Sequence, residues 1–207
     1  EAKPKDVELA WKLGQAYFFA GEFTTNKTDR ARVAERGIAA CQIAFASAPK
    51  SAEVNYYYAL NQGQLARTKL FAALGLVRKM QTKLVFAAST SPKLNHAGPD
   101  RCLTQLYRDA PGWPISVGNK KKARAHIAKI KQHAPEYPEN ICVWLETWIK
   151  WKDRATLAQD LPKAAPALAA AKKKLTGREW EPYWDDWDRR WAIIQCKATK
   201  LLPKQTK

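Results

Sequence analysis

The chain predicts an all-α fold: a right-handed stack of about four antiparallel helical hairpins, closed by a C-terminal Trp-rich capping helix. Two observations carry this. Ala123, Ile127, Ile130 and Pro135 are spaced 4, 3 and 5 apart; the same ladder stands 43 residues earlier as Met80, Leu84, Ala87 and Pro92, and 43 earlier again as Gly37, Cys41, Ala44 and Pro49. Spacings of 4 and 3 describe one helix face, proline ends it, and a fixed period of roughly 20 to 50 residues marks a stacked array. Ahead of the ladders stand Leu13, Tyr58, Leu103 and Trp144, at intervals of 45, 45 and 41, each on a segment with its own helical periodicity.

Residues 1–6 (EAKPKD) read as a polar arm. Asp6 is placed to cap a first helix through Phe19, along which Leu9, Leu13, Ala16 and Tyr17 recur. Gly14 beside Leu13 leaves room for a second helix to approach. Residues 20–29 read as a polar loop, and the next helix carries the Gly37–Cys41–Ala44 ladder to its stop before Pro49. Ser51 caps the second leading helix. Its partner, roughly Lys69 to Ala88, is the most apolar stretch and reads as a central element covered on both sides.

The third hairpin opens near Ala97 with Pro99 in the first helical turn, and Leu103 and Tyr107 repeat the leading pattern. The Pro- and Gly-rich loop APGWPISVGN follows, with Trp113 expected to plug against a neighbouring helix. The third ladder helix runs from Lys120 to His133. Pro138 opens a fourth hairpin marked by Val143, Trp144, Trp148 and Trp151, while Pro162 and Pro166 predict a kinked or broken second helix. From Glu179 to Leu201, Trp180, Trp184, Trp187, Trp191 and Ile194 form one stripe, opposite Asp185, Asp186, Asp188, Arg189 and Arg190 on a solvated face. A solenoid needs such an amphipathic cap. The organisation is thus an arm over 1–6, a repeat array over 7–175, a cap over 179–201 and a basic tail over 202–207.

The net charge of +17 predicts attraction to something anionic: nucleic acid, lipid head groups, cell-wall polymers or an acidic protein. No run of apolar residues is long enough to cross a membrane as a helix. The start at Glu1 without Met reads as leader removal or an artificial start. Four cysteines stand in no C-x-x-C pair, which leaves zinc, haem and thioredoxin-like chemistry unsupported. They read either as buried thiols or as the mark of an envelope protein with a disulfide. No nucleophile, phosphate-loop or zinc-protease motif is present, and no cofactor is implied. His126 and His133 share a helix face but read as surface residues. The chemistry-bearing patterns of an enzyme are missing.

The ladder and the leading pattern together resemble the tetratricopeptide (TPR) motif. Leu13, Gly14 and Tyr17 pair with Gly37, Cys41, Ala44 and Pro49; Tyr58 and Ala59 with Met80, Leu84, Ala87 and Pro92; Leu103 and Tyr107 with Ala123, Ile127, Ile130 and Pro135; Trp144, Leu145 and Trp148 open a degenerate fourth copy. The period of 43 exceeds that family's 34, with the extra residues expected between the helices of each unit. Long interhelical loops, with the phrases GPDRCLTQLYRDAPGW and SVGNKKKARAHI, look like the T-component of TRAP-type transporters.

The TPR resemblance implies a concave surface lined by the leading helices: Glu8, Trp11, Gln15 and Phe18, then Tyr56, then Arg101, Gln105 and Arg108, then Glu139, Glu146 and Lys150. On the same map Cys102 and Cys142 lie on adjacent leading helices, where a disulfide is feasible. The function expected is a non-catalytic scaffold or assembly subunit, periplasmic or extracellular, that binds a protein partner or its own kind. A nucleic-acid or other polyanion binder, with an anionic surface as partner, is the alternative, and a small-ligand component of a TRAP-type transporter a third.

Overall fold

The computed structural model describes residues 4–69 and 73–202. Among them are nine α-helices: α1 Pro4–Glu22, α2 Lys27–Ser47, α3 Ala52–Ala66, α4 Ala73–Thr90, α5 Gly98–Asp109, α6 Lys120–His133, α7 Pro138–Trp151, α8 Arg154–Lys174 and α9 Glu181–Leu201. They pair as antiparallel hairpins, α1–α2, α3–α4, α5–α6 and α7–α8, with α9 as the C-terminal Trp-rich helix. The chain packs as two units, Glu1–His126 and Ile127–Lys207. Residues 1–3 of the expected arm and 203–207 of the expected tail lie outside the described residues.

Unit 1 corrects the expected loop lengths. Only residues 23–26 join α1 to α2, because both helices run further than their apolar faces require. Asn26 caps α2, its side chain accepting from the backbone N–H of Thr28 at 2.8 Å and of Asp29 at 3.1 Å. The helix α1 begins at Pro4, which puts Asp6 in the first turn, where its charge suits the helix dipole, and not at the cap. In this hairpin the long period is absorbed by helices of 19 and 21 residues. In the third hairpin the helices are 12 and 14 residues and the surplus lies in the loop 110–119.

The central element of unit 1 is α3, not α4. Eleven of its fifteen residues are buried, since α1, α2 and α4 all pack on it. On α4, Leu84, Ala87 and Ala88 are buried while Leu74 and Val85 are exposed, so its apolar run exceeds the face that is covered. A close approach explains the glycines. A Cβ at Gly14 would stand 2.3 Å from Cys41 Sγ, and one at Gly37 would stand 2.1 Å from Asn61 Oδ1. Into the space they leave, Asn61 sends its amide, donating to Gly14 O and to Tyr57 O at 2.9 Å each. Leu13, one position before Gly14, is 49% exposed, unlike its register partners Tyr58, Leu103 and Trp144, which are buried.

At the start of each later leading helix a buried side chain reaches back six residues to a carbonyl. Asn55 Nδ2 donates to Pro49 O at 2.8 Å, Arg101 Nη1 to Asn95 O at 3.4 Å and Asn140 Nδ2 to Ala134 O at 2.9 Å. A proline-terminated helix leaves its last carbonyls without intrahelical partners, and these side chains satisfy some of the groups near each junction. The proline spacing was legible in sequence; the polar residues that hold the joint were not.

In unit 2, Ile127 and Ile130 pack with Ile141, Trp144, Leu145, Trp148, Leu157, Leu168, Ile194 and Ala198. A smaller cluster joins Ala171, Trp184 and Trp187, with Tyr137 and Trp180 against it. Of the kink or break expected at Pro162 and Pro166, a break is not what forms: α8 is one helix from Arg154 to Lys174 with both prolines inside it. Ala158, Pro162 and Pro166 are all exposed and one turn apart. The carbonyls of Ala158 and Pro162, which lose their donors to the prolines, therefore lie on the side open to water.

The cap stripe is as expected, with Trp184, Trp187 and Ile194 buried. Its polar side is not uniformly solvated. Arg190 is a largely buried side chain, bonded to Glu146 through two nitrogens (2.8 and 3.0 Å) and to Glu139 at 2.7 Å. Trp187 Nε1 donates to the other oxygen of Glu139 at 2.8 Å.

Candidate interaction surface

In unit 1 the leading helices α1 and α3 lie against each other and bring part of the expected surface together. Trp11 stacks on Tyr57 with ring centroids 5.6 Å apart and planes 8° from parallel. Gln15 donates from Nε2 to the Tyr57 hydroxyl at 2.5 Å, and Phe18 lies further along the same helix against Phe19. Trp11, Gln15 and Phe18 are each half-buried, and form a strip with apolar rings and an amide at its edge.

Tyr56 belongs elsewhere. It is 1% exposed, and its hydroxyl accepts from Asn95 Nδ2 at 3.1 Å. Burial pushes its phenol well above the ordinary range. The 45-residue offset maps Trp11 onto Tyr56, but the packing is displaced by one residue, and one residue turns a helical side chain through about 100°. Nothing in the spacing alone could have chosen Tyr57. Arg101 is also buried, serving the Asn95 and His96 carbonyls. Gln105 and Arg108 are half-buried on α5, and Arg108 pairs with the adjacent Asp109 at 2.7 Å.

His126 is not a surface histidine. Its Nδ1 lies 2.6 Å from the Oδ1 of fully buried Asp100, and its ring stacks on Tyr107 at 5.5 Å. Among the described residues no group of three or more His, Cys, Asp or Glu is placed to hold a metal ion, and no helix is long and apolar enough to cross a membrane.

In unit 2 the expected surface residues divide. Glu139 and Glu146 are held by Arg190, so they are structural charges, while Lys150 is exposed. The two carboxylates raise the Arg190 guanidinium above its ordinary range even though burial works to lower it. A shallow cleft of about 340 Å³ is lined by Lys131, Ile141, Trp144, Asp160 and Ala164 among others. Its polar groups answer one another: Lys131 pairs with Asp160 and lies over the Trp144 ring at 5.2 Å, and Trp148 Nε1 donates to Asp160 at 2.8 Å.

The four cysteines are free thiols: Cys41 and Cys142 buried, Cys102 half-buried, Cys196 exposed. Of the two considered for a bridge, Cys102 belongs to unit 1 and Cys142 to unit 2. Burial pushes the Cys41 and Cys142 thiols up to about 12, so both are protonated and unreactive near neutral pH.

Trp113 does not plug the fold. It is 89% exposed, and Pro111, Gly112, Pro114 and Ile115 are exposed beside it. The loop is closed on itself, with Gly118 N donating to Pro111 O at 2.8 Å and Asn119 N to Tyr107 O at 2.8 Å. A Cβ at Gly118 would meet Ala110 O at 2.1 Å, so closure needs glycine there.

The family described as regulator of microtubule dynamics protein 1-3 matches residues 1–74, less than half of the chain. The matched stretch holds α1, α2, α3 and the opening of α4, and with them Trp11, Gln15, Phe18 and Tyr57. No curated protein shows a significant match. The similarity and the fold together describe an all-α protein of paired helical hairpins.

Proposed function

We propose that this chain is a non-catalytic scaffold of TPR-like type that engages a protein partner through the α1–α3 strip. The carrying observation is that Trp11, Gln15 and Phe18 stand together, half-buried, on a face whose floor is fixed by the Trp11–Tyr57 stack. Half-buried aromatic groups on a rigid support anchor interfaces at small entropic cost. The family likeness covers this strip, and its description names microtubule dynamics. The net charge of +17 favours a partner of acidic surface.

Microtubules are therefore the first partner to test. The purified chain is expected to co-sediment with them, more weakly as salt rises, and a Trp11→Ala/Phe18→Ser double variant that keeps its helicity is expected to lose at least about tenfold in affinity. Wild-type binding by that variant would remove the strip from the interface. A chain that neither sediments with microtubules nor crosslinks to itself or a co-purified protein overturns the scaffold reading. The same assay bears on location, because a chain that works on microtubules acts inside a cell and not in a periplasmic or extracellular space.

A further inference from the structure

The loop between α5 and α6 has a composition and geometry that the α1–α3 strip does not explain. We propose that it docks unit 1 onto an anionic lipid bilayer, with Trp113 and Ile115 entering the headgroup region and the first turn of α6 supplying the cations. This goes beyond the scaffold reading and does not depend on it.

Three observations converge. Trp113 is almost fully exposed and Ile115 is 60% exposed, at the tip of a loop whose ends are tied by the Gly118–Pro111 bond and the Gly112–Gly118 bridge. A large apolar pair held out on a closed loop has been ordered already, so its burial costs little further entropy. Second, the tip is suited to a medium poor in water. Pro111 and Pro114 carry no N–H, and the N–H groups of Ile115 and Ser116 both donate to Gly112 O at 3.1 Å. Those groups lose no hydrogen bond when water is withdrawn.

Third, charge follows the apolar tip directly. Lys120, Lys121, Lys122 and Arg124 are exposed at the start of α6, immediately after the closing bond at Asn119. Between Arg108 and His126 the sequence has one acidic residue, Asp109 at the foot of the loop, and none in the tip or the first turns of α6. Apolar tip first and cations behind is the order in which a bilayer presents its own layers, with Trp favoured at the headgroup level and lysines at the phosphates. A protein pocket or a nucleic acid would take the tryptophan or the lysines, but neither presents both layers in that order.

Sedimentation of the full chain with vesicles tests this, using phosphatidylcholine alone and phosphatidylcholine with about one third phosphatidylserine. Binding is expected to the anionic vesicles and not the neutral ones. Trp113→Ser is expected to weaken it about tenfold, and Lys121→Gln and Lys122→Gln about fivefold each. Circular dichroism of each variant establishes that the helices are intact, and all three side chains are exposed, where substitution changes stability little. Anionic binding that Trp113→Ser leaves unchanged would assign the effect to the overall charge and overturn the docking loop. Absence of vesicle binding overturns it as well, as does a Trp113-dependent interaction seen with a protein or an oligonucleotide but not with lipid.

Discussion

In unit 1 the ladder is Gly37, Cys41 and Ala44, and helices meet almost backbone to backbone, with Asn61 threaded between Gly14 and Gly37. In unit 2 the space is filled by Trp144, Trp148, Trp184 and Trp187, and each of the last three sends its indole N–H to a defined acceptor: Asp160, Leu175 O and Glu139. The hairpin plan tolerates both solutions because it fixes only which face is covered. Small residues bring helices close and rely on an amide to satisfy exposed carbonyls, whereas large rings hold helices apart and need polar handles of their own. Unit 1 should therefore be sensitive to added volume, and unit 2 to the loss of a charge or a ring.

The largest effect is expected at Arg190 in unit 2. Arg190→Leu leaves Glu139 and Glu146 facing one another without their cation, and breaking a buried pair from one side costs about 3–5 kcal/mol. Denaturant unfolding of the full chain measures it. Adding Glu139→Gln and Glu146→Gln should recover a large part of the loss, because the uncompensated carboxylates and not the missing contacts dominate. A triple variant as unstable as the single one would show that Arg190 acts through packing alone.

Unit 1 supplies the contrast. Gly37→Ala introduces a Cβ 2.1 Å from Asn61 Oδ1, so the amide must move and release Gly14 O or Tyr57 O. Overpacking of this kind costs about 1–3 kcal/mol, although in an exposed helix the same change would stabilise by roughly 1 kcal/mol. The sign is the test. A stabilised Gly37→Ala protein would mean that the helices can separate, and the proposed contrast with unit 2 would fail.

These positions also show what could be read from sequence. The ladders and their prolines were legible because burial at spacings of 4 and 3 forces small or apolar residues, a requirement visible in one chain. Asn61, Asn55 and Asn140 were not, since a buried amide has the same one-letter signature as an exposed one. Arg190 sits in a run of charges, WDDWDRR, and only the neighbouring helix α7 distinguishes it from Arg189. The Trp11–Tyr57 pair was missed by one residue of register. A tryptophan in a Pro- and Gly-rich loop reads as a plug against the adjacent helix; the exposure of Trp113 depends on how residues 110–119 close, which spacing does not encode.

A feature shared by both units gives a smaller effect. Cys41 in unit 1 and Cys142 in unit 2 are each raised to about 12 by burial. The sign follows from linkage: below the ordinary thiol value of 9.0 both states hold the proton, and above it the unfolded chain releases a proton that the folded chain retains. Stability is present in full below that value and falls as pH rises toward 12, by about 1.4 kcal/mol per pH unit for each thiol. Comparing unfolding of the parent with Cys41→Ala and Cys142→Ala between pH 8 and 11 isolates each share. Each variant should flatten the decline by a similar amount, despite the different packing of the units. A decline unchanged in either variant would mean that its thiol ionises in the fold.

The smallest stability effect belongs to the most exposed aromatic among the described residues. Trp113 touches too little of unit 1 for its loss to matter to folding, so Trp113→Ser should change unfolding free energy by no more than about 0.5 kcal/mol. Trp187→Ser in unit 2 removes a ring that packs on Tyr137, Trp180 and Trp184 and donates to Glu139, and should cost about 3–5 kcal/mol. The pair separates tryptophan kept for packing from tryptophan kept for a surface. If Trp113→Ser destabilises the chain comparably to Trp187→Ser, the loop is a structural element after all, and its exposure in the fold no longer argues for a docking role.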